Sequence, residues 1–325
     1  FAIMRLEDIL KERILVLDGA MGTMIQQYSP NEATFRGERF AQHDTNLHDC
    51  YDVLSITAPE MIEQIHCQYL DAGADIITTN TFNANTISLA HYNLQDKASE
   101  INCAAATLAC RVANYYTKIT PNKPRFVAGS VGPTSINCTV TPSHTERLLE
   151  AYIEQMTALI TGGVDIVLIE TICDLNNSLV ALYAAEYAMK RTQRTIPIML
   201  SITTTPEGTM LSGHSLEKFL SSISHYAPLS VGINCSHGVL SILPHLRSLN
   251  MTAPYYISAH PNAGLPNENG VYDITAHDMV ASMKPYITER LVNIIGGCCG
   301  TTPQLTTLLC QAVRGITPRQ IPCIA

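Results

Sequence analysis

The chain has 325 residues, 46% of them apolar and 15% charged, and a net charge of −8. This is the balance of a well-buried globular protein; an acidic chain without Lys/Arg clusters excludes a partner read through its phosphate backbone, so nucleic acid is not expected, and no run approaches the roughly eighteen apolar residues of a membrane span. Eleven scattered cysteines, an odd number, with no signal-peptide pattern at Phe1-Ala2-Ile3-Met4-Arg5, fit a reducing, cytoplasmic setting better than a disulfide framework.

Residues 1–13 read as a helical lead-in. Ile14–Asp18 is then a first short, buried strand, ended by Gly19-Ala20-Met21-Gly22-Thr23. After a long polar excursion, apolar residues at helical spacing (Ile62, Ile65, Tyr69) mark a helix over Pro59–Ala72, followed by a strand at Ala74–Asn80. Helical pattern resumes through Ala90 and Cys103 to Tyr116, and Arg125–Ser130 is a third strand. The alternation continues with strands at Asp165–Glu170, Pro197–Ile202, Leu229–Asn234, Tyr255–His260 and Leu291–Ile295. Helices over Glu146–Thr161, Leu175–Thr192, Ser215–Ser224, Gly238–Leu249 and Ala276–Tyr286 separate them. Parallel strands need crossover helices, and eight such units predict an α/β protein: one (β/α)8 TIM-barrel domain over residues 14–313. The Pro-rich residues 314–325 read as a tail or linker.

In such a barrel, function collects at the C-terminal ends of the strands. Here those ends carry Asp18, Asn80, Gly132, Glu170, Thr203, Cys235, His260 and the pair Cys298-Cys299. The glycines around the pair, Gly296-Gly297-Cys298-Cys299-Gly300, let the backbone turn sharply enough to bring both sulfurs to one point. A third thiol from Cys235 would complete a thiolate set that selects a soft or borderline metal, Zn2+ being the usual occupant, with a fourth position left open for substrate. The alternative is that these are buried packing cysteines. Glu170 ends an apolar strand and is suited either to a substrate ammonium group or to a salt bridge with a neighbouring element. Asp18 and the Gly19-Ala20 turn offer either N–H groups for a carboxylate or an ordinary strand-to-helix turn. His260 serves as a ligand, a proton carrier or a hydrogen-bonded structural residue, and Asn262 in the same loop is a polar contact. His66, His214 and His237 carry no pairing signal.

The motifs Leu17-Asp18-Gly19-Ala20-Met21-Gly22-Thr23, Gly73 to Phe82, Gly132-Pro133-Thr134, Ile169-Glu170-Thr171, Gly232-Ile233-Asn234-Cys235, Pro261-Asn262-Ala263-Gly264 and Gly296 to Gly300 together resemble the homocysteine S-methyltransferase family. The likeness covers nearly the whole chain and is closest to the N-terminal homocysteine-binding modules of cobalamin-dependent methionine synthases. It implies a zinc-dependent methyltransferase that forms methionine, activating homocysteine as a zinc thiolate. Cys235, Cys298 and Cys299 would serve as the metal ligands and catalytic centre, Glu170 would hold the substrate amino group, and Asp18, Gly19 and Ala20 its carboxylate. Asn262 is implied near the metal. Methylcobalamin is the implied donor, not bound by this chain alone and brought by folate- and cobalamin-binding modules in the same or another chain.

Against the family pattern, the segment Thr134–Glu146 is shorter than its synthase counterpart and Ser236-His237 replaces a common Ala-Leu. The sequence also lacks an Asp-x-His-x-x-Gly corrinoid-ligand motif. A stand-alone enzyme using S-methylmethionine or betaine is therefore the alternative, and a non-catalytic zinc- or homocysteine-binding domain is another. A zinc hydrolase is disfavoured because no His-x-His follows the first strand.

Overall fold

The computed structural model describes residues 2–136 and 142–323. Eight parallel strands form one sheet in the order β1-β8-β7-β6-β5-β4-β3-β2. They are β1 (Leu15–Val16), β2 (Ile76–Thr78), β3 (Phe126–Val131), β4 (Ile166–Ile172), β5 (Ile198–Ile202), β6 (Ser230–Cys235), β7 (Tyr256–Pro261) and β8 (Ile294–Ile295). A single parallel bridge between Leu17 and Ile76 joins the two edges, with backbone bonds from Asp18 N–H to Ile76 (2.9 Å) and from Asp75 N–H to Val16 (2.8 Å). The sheet is thus closed into a barrel and the expected (β/α)8 architecture is the observed one.

All eight expected strands are present, with shorter ladders at β1 and β8, where only Leu15–Ile294 and Val16–Ile295 pair. The helices lie outside the sheet, several of them started by a side-chain cap. Asp174 accepts the Asn177 N–H at 3.0 Å to open Leu175–Thr192, and Ser215 and Thr275 do the same for Leu216–Ile223 and Ala276–Thr288. Thr302 occupies the N-cap of Pro303–Ala312 but its hydroxyl makes no cap bond; Pro303 at the first turn supplies the helix start instead. Residues 137–141, within the segment read as shortened, lie outside the described residues. Among those described, no helix is long and apolar enough to cross a membrane.

Two apolar layers follow from strand alternation. Outward-facing strand residues pack against the helices in one large cluster, while inward-facing Leu15, Leu17, Ile76, Phe126, Ala128, Ile166, Leu168, Met199 and Ile294 fill the barrel. The lead-in helix α1 (Ala2–Glu12) contributes Leu6 and Leu10 to this inner cluster and so closes the N-terminal end of the barrel. Just beyond it, Arg13 grips the buried Asp75 with two bonds of 2.8 and 3.0 Å. The C-terminal tail is packed: Arg319 is 2% exposed and donates to the carbonyls of Tyr255, Asn250 and Ala253 and to the Asn250 amide oxygen. On β3 and β4 the apolar filling ends at Ala128 and Leu168, and the next inward residues, Ser130 and Glu170, line a cavity at the opposite, C-terminal mouth.

Candidate active site

The cavity at the mouth has a volume of about 260 Å³ and is lined from Asp18 through Thr23, by Asp52, Thr78 to Asn83, Ser130, Glu170 and Thr171, and by His260, Cys235, Cys298 and Cys299. No lysine or arginine lies on this wall, so it favours cationic groups over anionic ones.

The three cysteines converge. Their Sγ atoms lie within 4.8 Å of one another, and those of Cys235 and Cys298 are 2.6 Å apart in cysteines that are free rather than disulfide-bonded. Local backbone explains the convergence. Cys235 and Ser236 both take left-handed conformations, with φ of 52° and 57°, turning the β6 terminus over the barrel; the Ser236 hydroxyl holds this turn by accepting the Thr204 N–H at 3.0 Å and donating to the Asn234 carbonyl at 3.1 Å. At the other turn, Cys298 N–H bonds the Pro261 carbonyl at 2.8 Å, and Thr301 Oγ1 donates to the Cys298 carbonyl at 2.6 Å. A Cβ on Gly297 would lie 2.5 Å from Thr301 Oγ1, so only glycine fits this turn.

The sulfurs share protons as one unit. Hydrogen bonds from Cys235 and Cys298 pull Cys299 down to about 3. The bonds to Cys235 and Cys299, with burial, push Cys298 well above an ordinary thiol. At Cys235 the Cys298 bond acts downward, but the Cys299 bond and burial carry the thiol up to about 12. Three sulfurs converging on one point are a donor set: a divalent soft or borderline metal would displace their remaining protons and take all three. Cys299 is exposed, which leaves the cluster accessible from the mouth.

Glu170 lies deeper, 9% exposed. Its Oε1 accepts the Ser130 hydroxyl at 2.6 Å and its Oε2 the His260 Nε2–H at 2.9 Å. Of the open readings for His260, the hydrogen-bonded one is realised. Where a salt bridge was the alternative for Glu170, the carboxylate has this histidine hydrogen bond; no lysine or arginine reaches it among the described residues.

Asp18 is 3% exposed and is engaged by Thr78, whose N–H reaches Oδ2 at 2.8 Å and whose hydroxyl contacts both oxygens at 3.2 Å. Burial pushes its pKa well above the usual carboxylate range. Its carboxylate therefore ties β1 to β2. Ala20 N–H bonds Thr301 Oγ1 at 3.2 Å, and Tyr69 OH bonds the Ala20 carbonyl at 2.6 Å. Gly19 lies against Thr301 and Tyr69, where any Cβ would be 2.7 Å from Thr301 Oγ1. Asn262 braces the two cysteine turns: its Oδ1 accepts Cys299 N–H at 3.1 Å and its Nδ2 reaches the Ser236 carbonyl at 3.4 Å. It is not on the cavity wall.

The sequence reading did not single out Ser130, Thr78, Thr301 or Asn234. Their signal is a polar residue on the inner face of an otherwise apolar strand, or next to a cysteine turn. Asp52, buried on the same wall and bound by the Asn83 N–H at 2.9 Å, was also missed; burial pushes it up to about 7.

Fold and site thus define a class: a (β/α)8 barrel with a three-thiol centre and a buried carboxylate sharing one cavity at its C-terminal mouth. A sequence profile of the homocysteine S-methyltransferase family matches residues 15–313. The chain belongs to the homocysteine S-methyltransferase family and is a methyltransferase that methylates homocysteine. Among solved structures it is similar to the homocysteine methyltransferase MmuM from Escherichia coli. The metallated form is 20% identical, with a TM-score of 0.73 over 96% of this chain and 100% of that one. The oxidized form is 21% identical at 0.73 over 96% and 99%, and the apo form 21% identical at 0.69 over 96% and 100%. At this identity the likeness concerns the fold.

Proposed function

We propose that the protein is a zinc-dependent homocysteine S-methyltransferase forming methionine, with Cys235, Cys298 and Cys299 as metal ligands and methylcobalamin as methyl donor. The observation that carries this reading is the presence of three convergent sulfurs and an ammonium-ready carboxylate, Glu170, in one cavity of about 260 Å³. The donor set fits the metal, and the related Escherichia coli enzyme has a metallated form. When bound, zinc supplies the Lewis acidity that keeps a substrate thiol deprotonated at neutral pH. Glu170, held by Ser130 and His260, receives the amino group of homocysteine and fixes the chain's direction, so that its thiol points to the sulfurs. The Asp18 and Ala20 N–H groups are engaged by Ile76 and Thr301, so in this reading the Gly19 N–H is the group of the Asp18-Gly19-Ala20 turn that meets the substrate carboxylate. Tyr69 and Thr301 keep that turn in place.

The cavity is sized for one amino acid, with the exposed Cys299 at its rim. A donor therefore meets the sulfur from outside, which favours methylcobalamin presented by a cobalamin-binding module over a small donor enclosed beside the substrate. The free cysteines suit a reducing compartment, the cytoplasm, since oxidation of the trio would remove the donor set. The test is metal analysis of the purified protein, followed by methionine formation from homocysteine with methylcobalamin, S-methylmethionine and betaine in parallel. Turnover with methylcobalamin alone supports the proposal; turnover with only a sulfonium or ammonium donor replaces its donor assignment; bound zinc without turnover makes the chain a binding domain.

A further inference from the structure

Asn234, the residue before Cys235, is fully buried and links Thr171, the residue after Glu170, to the cysteine cluster. Its Oδ1 accepts the Ser201 hydroxyl at 2.7 Å and the Thr171 backbone N–H at 3.0 Å. Its Nδ2 donates to Thr171 Oγ1 at 2.8 Å and faces the Sγ of Cys235 at 3.5 Å and of Cys298 at 4.0 Å. The orientation is forced: a backbone N–H is a donor only, so the amide oxygen must face the Thr171 N–H, and Nδ2 then gives one hydrogen to Thr171 Oγ1 and turns the other toward the sulfurs.

The Thr171 end is strained. Thr171 has φ 62°, a left-handed conformation that a β-branched residue seldom takes and holds only where its surroundings enforce it. The β4–β5 ladder breaks there, with Ile169 paired to Leu200 and Ile172 to Ile202. The N–H that the bulge releases from the ladder is the one Asn234 takes. The bulge adjoins Glu170 and sets where its carboxylate meets Ser130 and His260.

We propose that Asn234 is a positioning residue that holds the amino-group end and the thiol end of the substrate site in register, pinning the bulge beside Glu170 while directing its remaining N–H at the sulfurs, nearer to Cys235 than to Cys298. The inference rests on the reading above, in which Glu170 receives the amino group and the cysteines the metal. An N–H aimed at a thiolate withdraws electron density from it, and the same amide fixes the span between carboxylate and sulfur, where a misplacement of about 1 Å costs on the order of a hundredfold.

The test loads the whole protein with Co2+ and follows the sulfur-to-cobalt charge-transfer absorption while titrating homocysteine or 1-propanethiol, which has the thiol and chain but no amino acid group. Asn234→Ala should lower the preference for homocysteine by at least about tenfold although Glu170 is intact, and should displace the absorption band. Asn234→Asp keeps acceptors for Thr171 N–H and Ser201 but no N–H toward sulfur, so it should restore the preference to within about threefold while the band stays displaced. A purely structural role would move neither quantity. Wild-type preference and band in Asn234→Ala would overturn the proposal; should that variant fail to fold, a wild-type band in Asn234→Asp would do so. Wild-type protein that takes up no Co2+, or takes it up without preferring homocysteine, would overturn the functional reading itself and this inference with it.

Discussion

The two ends of the barrel treat a buried carboxylate in opposite ways. At the closed end, Asp75 is 1% exposed and fully matched: Arg13 binds it twice, Val16 N–H adds a bond at 2.9 Å, and Lys123 lies 3.6 Å away. At the mouth, Glu170 is largely buried too, yet among the described residues it is met only by a hydroxyl and an imidazole. Along β4 the inner face runs Ile166, Leu168, Glu170, and along β3 Phe126, Ala128, Ser130, so the change from filling to chemistry takes a single step of the strand repeat. Saturated pairing marks an end built for stability; unsaturated pairing marks an end that keeps capacity for a substrate.

Removing a sulfur from the mouth should break this division most completely. Cys298→Ala is expected to bring metal content to background and abolish methylation while its thermal unfolding matches that of the metal-free parent protein, as metal analysis and calorimetry would show; retained metal would refute the ligand assignment. The converse change at the closed end, Leu10→Ala, deletes a fully buried side chain of the inner cluster. It should cost about 2–5 kcal/mol in urea unfolding and leave metal uptake intact. In the helical shell between the ends, His66 is fully buried, neither ring nitrogen has a partner, and burial lowers it to about 4. Because the unfolded chain takes up a proton near pH 6.5 and the folded one does not, stability should fall as pH drops from about 6.5 to about 4, by about 3 kcal/mol. His66→Leu should flatten that part of the stability–pH curve. Smallest in free energy is Glu170→Gln, which replaces a charged acceptor with a neutral one. Homocysteine binding should weaken by about 1.5–3 kcal/mol with metal content unchanged, and equal loss of both would make Glu170 a structural residue.

Strand positions were legible because buried parallel strands write themselves as short β-branched runs, and the cysteine turns because paired thiols between glycines are rare. The lead-in helix was visible as a helix, but that Leu6 and Leu10 enter the barrel depends on packing that no local period encodes. Asn234 stood inside a recognised motif and still hid its role, since its partners Thr171, Ser201 and Cys298 come from three other parts of the chain. For the same reason the bonds of Asp18 and Asn262, which the family resemblance implies lie beside substrate and metal, to Thr78, Cys299 and Ser236 become apparent only after closure.

β1 meets β8 over two residue pairs and β2 through one bridge, so amide hydrogens there have the fewest barriers to exchange with solvent deuterium. Those same strands lead into the Asp18 turn and into Cys298 and Cys299. An ion gripped by Cys235 on β6 and by the two thiols after β8 spans β7 and fastens the loosest strand of the barrel to one of its best-paired ones. Metal uptake and deuterium protection along β8 should therefore rise together, making the cluster a rivet as well as a reaction centre.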